Sequence, residues 1–216
     1  MKVVVKRRKF IYPIIKRLLG LILAIILLII LLPIMLIISI CIKAESKGPI
    51  LFKQQRVGKN GKIFDIYKFR SMQYGNDVHN INEENKITKV GRFIRKTSLD
   101  ELPQLFNIIK GEMAFIGPRP WIIDYYQNFT KKQKDKVKVL PGITGLAQVS
   151  GRNEISILKK INYDLEYVNN ISFILDLKII YLTIKSLFLK ENNEMSKKTI
   201  MEEINELKDN KRHMGE

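Results

Sequence analysis

Residues 18 to 42 read LLGLILAIILLIILLPIMLIISICI, 25 positions without a charged side chain. A helix crosses a bilayer in roughly 20 apolar residues, so the run is long enough to span once. A cleaved signal has a shorter apolar core and a small-residue cleavage site, and neither pattern is present. Membrane association follows; orientation is the open question. Residues 1 to 17 carry seven basic side chains (Lys2, Lys6, Arg7, Arg8, Lys9, Lys16, Arg17) and no acid. Residues 43 to 62 carry six (Lys43, Lys47, Lys53, Arg56, Lys59, Lys62) against Glu45 alone. Cationic flanks prefer the cytoplasmic side, so both ends favour the same face. Pro33 removes one helical hydrogen bond and disfavours the α conformation at its predecessor, which can bend the helix there. The arms 18 to 32 and 33 to 42 are each too short to cross. The expectation is a re-entrant helix-hairpin bent at Pro33; a single kinked span is the alternative.

The whole chain of 216 residues fits one ordinary domain with appendages. Lys and Arg number 38 against 21 Asp and Glu, a formal charge of +17 that calls for an anionic partner. The single cysteine, Cys41, lies in the apolar run and excludes an intramolecular disulfide. Composition divides the chain into a basic segment (1 to 17), the membrane segment (18 to 42), a body (43 to 190) and a polar tail (191 to 216).

Beyond the membrane segment, GPILFKQQRVGKNGKIFDIYKFRSM (48 to 72) places apolar residues on both sides of Asn60-Gly61. That dipeptide favours a two-residue turn, so a β-hairpin is expected. Residues 73 to 88 read as a polar loop. Two short helices are expected over 89 to 96 and 99 to 110, the second closed by Gly111. Residues 121 to 138 put Trp121, Ile122, Tyr125, Tyr126 and Phe129 on one helical face, followed by lysines. Such a face suits a membrane interface or the core equally. Residues 154 to 190 read as one or two helices; Asp176, Lys178 and Lys185 argue against a second crossing.

The chemistry concentrates around TSLDELPQ, residues 97 to 104. Ser98 and Glu101 match the S-x-x-E capping box, and acids in a first turn suit the helix dipole. Asp100 as the cap would instead put Pro103 in the first turn, where it is tolerated. Capping alone could account for eight residues, but not for their surroundings. FIGPRP (115 to 120) and PGITGLAQVSGR (141 to 152) are Gly/Pro-punctuated loops carrying Arg119 and Arg152, and upstream stand Lys68, Arg70 and Arg95. Guanidiniums on rigid loops suit bidentate phosphate contact, and glycines let backbone N–H groups approach an anion. Two carboxylates amid five cations fit a metal and a diphosphate together. A phosphate-gripping tether without chemistry would have no use for adjacent carboxylates, which repel phosphate.

The ordered run FKQQRVGKNGKIFDIYKFRSM, GRFIRKTSLDELPQLFNIIKGEMAFIGPRP, PGITGLAQVSGR and YDLEYVNNISFILDLKIIYLTIK resembles the small monotopic polyprenyl-phosphate phosphoglycosyl transferases, bacterial sugar transferases that begin lipid-linked glycan assembly. The resemblance covers roughly residues 10 to 190 and is to the minimal catalytic form. It implies transfer of a sugar 1-phosphate from a UDP-sugar to undecaprenyl phosphate, with release of UMP. It implies Asp100 as covalent nucleophile, Glu101 as its dyad partner, and Mg2+ held through Asp100 at the diphosphate. Arg95, Arg119 and Arg152 take the positions of the family's phosphate-binding arginines, with Lys68 and Arg70 expected at the same mouth. The implied fold is mainly α with a small β-hairpin, a catalytic domain of amphipathic helices packed on the re-entrant helix at the membrane interface. The implied partners are the sugar nucleotide, the lipid phosphate and the anionic inner leaflet, not nucleic acid; the implied place is the cytoplasmic face of the bacterial inner membrane. One position departs: the family often has serine before the hairpin proline, and here Leu32 offers no hydroxyl to support the bend.

Overall fold

The computed structural model describes residues 2–75, 87–151, 155–188 and 199–215, with backbone alone for residues 2–10 and 187–188. The fold is mainly helical. Helix α1 (Lys2–Glu45) carries the apolar run and continues through Pro13 and Pro33 as one assigned helix. Its stretch from Ile11 to Glu45 is long and apolar enough to cross a membrane.

One stripe of α1 faces the body. Ala24 is buried against Phe64, Ile66, Leu105, Ile108 and Met113, with Leu27, Leu28 and Leu31 beside it. Met35, Ile38 and Ile42 bury against Phe69 and Ile94. Each such aliphatic side chain contributes about 1.5–3 kcal/mol when fully buried, so the stripe fixes α1 firmly. The opposite stripe, including Ile14, Ile22, Ile29, Ile30, Ile37 and Ile40, stays exposed.

Polar contacts fasten both ends of α1 to the same body. At the N-terminal end Lys16 Nζ pairs with Asp176 Oδ2 at 2.7 Å, and Tyr12 donates to the same carboxylate. Arg17 donates to the carbonyls of Ile108 (2.6 Å) and Ile109 (3.3 Å) at the end of a helix, where carbonyls lack intrahelical partners. At the C-terminal end the Glu45 carboxylate accepts from the backbone N–H of Lys89 (2.6 Å) and Val90 (2.9 Å).

Strands β1 (Leu51–Val57) and β2 (Ile63–Phe69) pair antiparallel, from Leu51 opposite Phe69 to Val57 opposite Ile63. The hairpin is as expected, but its turn is not two residues. Five residues, 58 to 62, join the strands through a 3-10 turn (Lys59–Gly61), with Asn60 and Gly61 both at positive φ. The Asn-Gly pair supplies the left-handed geometry that a longer loop also needs.

Helix α2 (Lys89–Lys96) starts at Thr88, whose hydroxyl accepts from Gly91 N–H. A Cβ on Gly91 would lie 1.9 Å from the Ser71 carbonyl oxygen, so only glycine lets α2 sit against the chain leaving β2. The helix expected over 99 to 110 is broken. A 3-10 turn (Leu99–Glu101) precedes α3 (Gln104–Lys110), which Gly111 closes at φ 86. Ser98 is left-handed and its side chain makes no capping bond, so the S-x-x-E box is not formed.

Short strands β3 (Ala114–Ile116) and β4 (Gly142–Thr144) pair in parallel. Gly117 N donates to Thr144 O and Gly142 N to Pro118 O, bringing GPRP against PGITG. A Cβ on Gly142 would lie 2.1 Å from Gly117 N, which only glycine avoids. Helices α4 (Ile123–Gln127), α5 (Leu146–Val149), α6 (Ile157–Asn169), α7 (Phe173–Phe188) and α8 (Ile200–His213) complete the body, with a 3-10 stretch (Gln133–Lys138) after α4.

Two readings are resolved here. The aromatic segment at 121 to 138 takes the core option: Ile122, Tyr125 and Phe129 bury against Ile157, Ile161, Ile204 and Leu207. The polar tail yields a folded helix. Thr199 and Glu202 form a reciprocal capping box, and α8 adds Ile204 and Leu207 to that same core. Two apolar residues one turn apart in a charged segment suffice once a groove receives them. Residues 189–198 lie outside the described residues.

Candidate active site

Strand β2, the 3-10 turn and the GPRP loop converge on the two carboxylates. Asn107 is fully buried and its amide donates to Asp65 O and Glu112 Oε2, while its oxygen accepts from Tyr67 N. These bonds lock α3 to β2 and so hold the turn before α3 beside Lys68. Lys68 Nζ lies 2.6 Å from Glu101 Oε1. Among the described residues, no side chain hydrogen-bonds the Asp100 carboxylate.

The two acids are shifted in opposite directions. Burial raises Asp100 above its ordinary range and Glu101's charge adds to this, while Lys68 and Arg95 oppose it. Burial also presses Glu101 upward, but Lys68 and Arg119, with bonds from Lys68 and Gln104, hold it below the usual value. Burial and a neighbouring like charge thus make Asp100 more basic than an ordinary aspartate, which favours it as a nucleophile when ionised.

Arg95, at the end of α2, donates Nε to Ser71 Oγ at 2.7 Å and feels the Asp100 charge. Arg119 is exposed at the tip of GPRP and acts electrostatically on Glu101. Beneath it, Lys136 Nζ donates to Arg119 O at 3.3 Å and pairs with Asp164, both side chains being buried. Trp121 Nε1 also donates to Asp164 Oδ2, at 3.3 Å. The buried pair therefore sets the backbone that presents Arg119.

Arg70 has a different occupation from the one expected. It is 6% exposed, and its guanidinium donates to Lys47 O (2.6 Å), Ser46 O (2.8 Å) and Ser46 Oγ (2.9 Å). Those bonds close the corner between α1 and β2. Arg152 lies outside the described residues, as do 76–86 of the expected loop.

Sequence reasoning missed Gln54 and Arg56. On β1 the alternation Phe52, Gln54, Arg56 shares a face with Phe64, Ile66 and Lys68 of β2. Counting that alternation outward from Lys68 would have found them.

No three carboxylate, histidine or cysteine side chains gather as a metal cage among the described residues. Mg2+ commonly binds through one or two carboxylates plus substrate phosphates and water, and Asp100, which no described side chain bonds, is a carboxylate that fits that role.

The sequence profile of the bacterial sugar transferase family matches residues 11–190. The chain is 47% identical over 152 residues to an uncharacterized sugar transferase, EpsL, of Bacillus subtilis, covering 69% of this chain and 75% of that protein. It is 41% identical over 157 residues to an undecaprenyl-phosphate galactose phosphotransferase of Salmonella typhimurium, covering 64% of this chain and 33% of that one. It is 39% identical over 158 residues to a UDP-glucose:undecaprenyl-phosphate glucose-1-phosphate transferase of Escherichia coli, covering 68% of this chain and 34% of that one. The matched region thus spans about a third of the longer relatives.

Proposed function

The chain belongs to the bacterial sugar transferase family, and from that premise we propose that it moves a sugar 1-phosphate from a UDP-sugar to undecaprenyl phosphate and releases UMP. The observation that carries the reading is Asp100: a carboxylate that no described side chain bonds, made more basic than an ordinary aspartate by burial, with Lys68 and Arg95 acting on it and Arg119 on its neighbour Glu101.

An Asp100 oxygen attacks the phosphorus that bears the sugar. The bond from that phosphorus to the bridging oxygen breaks, and UMP departs with the electron pair. The sugar phosphate is left on Asp100 as an acyl phosphate. An oxygen of undecaprenyl phosphate then attacks the same phosphorus, and the Asp100 carboxylate is regenerated with the lipid diphosphate sugar as product. Arg95 and Arg119 offset charge on the phosphoryl oxygens and on the departing UMP, where it grows as the bond breaks. Lys68 holds Glu101 charged beside the nucleophile. Asp100 is the residue that would hold Mg2+, which when bound neutralises phosphate charge.

The reading extends to the membrane. Tyr12 and Lys16 dock on Asp176, and Glu45 docks on α2, so one body touches both ends of α1. A straight helix would separate those ends by about 50 Å, more than the roughly 30 Å hydrocarbon layer. A body that contacts both cannot have the bilayer between them. This supports a re-entrant α1 whose exposed stripe, with Ile174, Leu177, Tyr181 and Ile184 of α7, lies in one leaflet. The body then sits on the cytoplasmic face, where the donor is dissolved and anionic lipid attracts its cations. A product on undecaprenyl diphosphate begins assembly of a bacterial surface glycan.

The covalent course predicts exchange without acceptor. Enzyme, a UDP-sugar and radiolabelled UMP, with no lipid phosphate, should return label to the UDP-sugar. A screen of UDP-sugars in which lipid product forms yet no member exchanges label would rule out the two-step course.

A further inference from the structure

We propose that Arg56, on strand β1, is a further phosphate-holding side chain of this site, forming with Arg119 a two-guanidinium clamp on the phosphate that leaves with the nucleotide. The inference rests on the donor assignment above and names the subsite that assignment requires.

Three observations place Arg56 there. Its strand ends against the segment following Arg119: Val57 N donates to Trp121 O at 2.9 Å, and Arg56 Nη1 donates to Pro120 O at 3.3 Å. It shares a face of the hairpin with Gln54 and Lys68, and Gln54 Oε1 accepts from Arg56 Nη2. Among the described residues, Arg56 has no carboxylate partner. Its Nε is buried and unbonded, and it lies close enough to Arg119 to feel that charge as repulsion. The acid it feels is Glu101, which Lys68 already occupies.

A mostly buried guanidinium beside a like charge, without a carboxylate partner, is costly unless an anion completes the group. The cations also divide. Lys68 reaches both acids and Arg95 acts on Asp100, whereas Arg119 and Arg56 act on Glu101. A diphosphate has two phosphates to place. The one under attack belongs at Asp100 with Lys68 and Arg95. The departing one then falls to Arg56 and Arg119, where negative charge develops as the bond breaks. Gln54 keeps the Arg56 fork in place at no cost in charge.

The test compares UMP with uridine as ligands of the full-length enzyme in detergent or nanodiscs. Losing a charge-assisted bond of about 1.5–3 kcal/mol weakens binding by on the order of tenfold or more. Arg56→Met should therefore raise the UMP dissociation constant by at least that factor while uridine affinity stays within about twofold. Arg56→Lys, which keeps the charge but loses the fork, should fall between, and it carries the comparison if the methionine variant does not fold. Equal weakening of UMP and uridine would mean Arg56 only shapes the loop, and unchanged UMP affinity would place it outside the site; either overturns the clamp. Failure of the donor reading has a separate signature, since wild-type enzyme would then bind UMP no better than uridine.

Discussion

Lys68 Nζ stands 2.6 Å from Glu101 Oε1, tying the end of strand β2 to the turn that carries both carboxylates. Both side chains are about a quarter exposed. Lys68→Met leaves a largely desolvated carboxylate without its partner, at a cost of about 1–3 kcal/mol. The expected outcome is a lower melting temperature and at least a tenfold fall in UMP release. Adding Glu101→Gln should recover much of the stability and none of the activity. Wild-type turnover by Lys68→Met would remove this bond from the account.

The Lys136–Asp164 pair is deeper, and a different arithmetic governs it. Burial lowers Lys136 and raises Asp164, each held charged by the other. Breaking a buried pair from one side costs about 3–5 kcal/mol, because the remaining charge is stranded. Asp164→Asn should therefore destabilise strongly in thermal melts, and activity should fall with it as the Arg119 backbone loses its support. Lys136→Met with Asp164→Leu should regain most of the stability. A double variant as unstable as the single one would show that packing, not charge, dominates there.

Local signals carried much of this fold. Asn60-Gly61 marked a hairpin, Gly111 a helix end, and the apolar run a membrane segment. What sequence could not show is set by tertiary contact. Ser98 matched a capping box, yet its left-handed backbone turns the hydroxyl away, because the chain must enter the 3-10 turn that positions Asp100. Ile204 and Leu207 looked stranded in a polar tail, but a groove lined by Phe129 and Ile161 buries both. Arg70 read as a phosphate ligand because charge alone does not reveal which carbonyls are near; Ser46 and Lys47 claim it. Asp100, Glu101 and Lys68 were singled out from the sequence and the fold brings them together, whereas Arg56 was legible only from strand register.

Topology is testable through the two ends of α1. Single cysteines at positions 9 and 53, in a Cys41→Ser background, should both resist an impermeant maleimide in intact cells. Labelling of position 9 alone would establish a span. In a re-entrant α1, Leu32 would supply no hydroxyl to support the bend and Pro33 would have to carry it; Pro33→Ala restores the missing N–H. That variant should shift position 9 toward labelling and reduce activity, since Lys16 would leave Asp176.

The central claim is the bond between Asp100 and phosphorus. Purified enzyme incubated with a UDP-sugar that supports UMP release, without lipid acceptor, should gain the mass of one phospho-sugar. Digestion under acidic conditions that preserve acyl phosphates should place that mass on a peptide containing Asp100. Undecaprenyl phosphate should discharge it, and Asp100→Asn should never acquire it. An adduct on another residue, or Asp100→Asn enzyme turning over at the wild-type rate, would contradict the account.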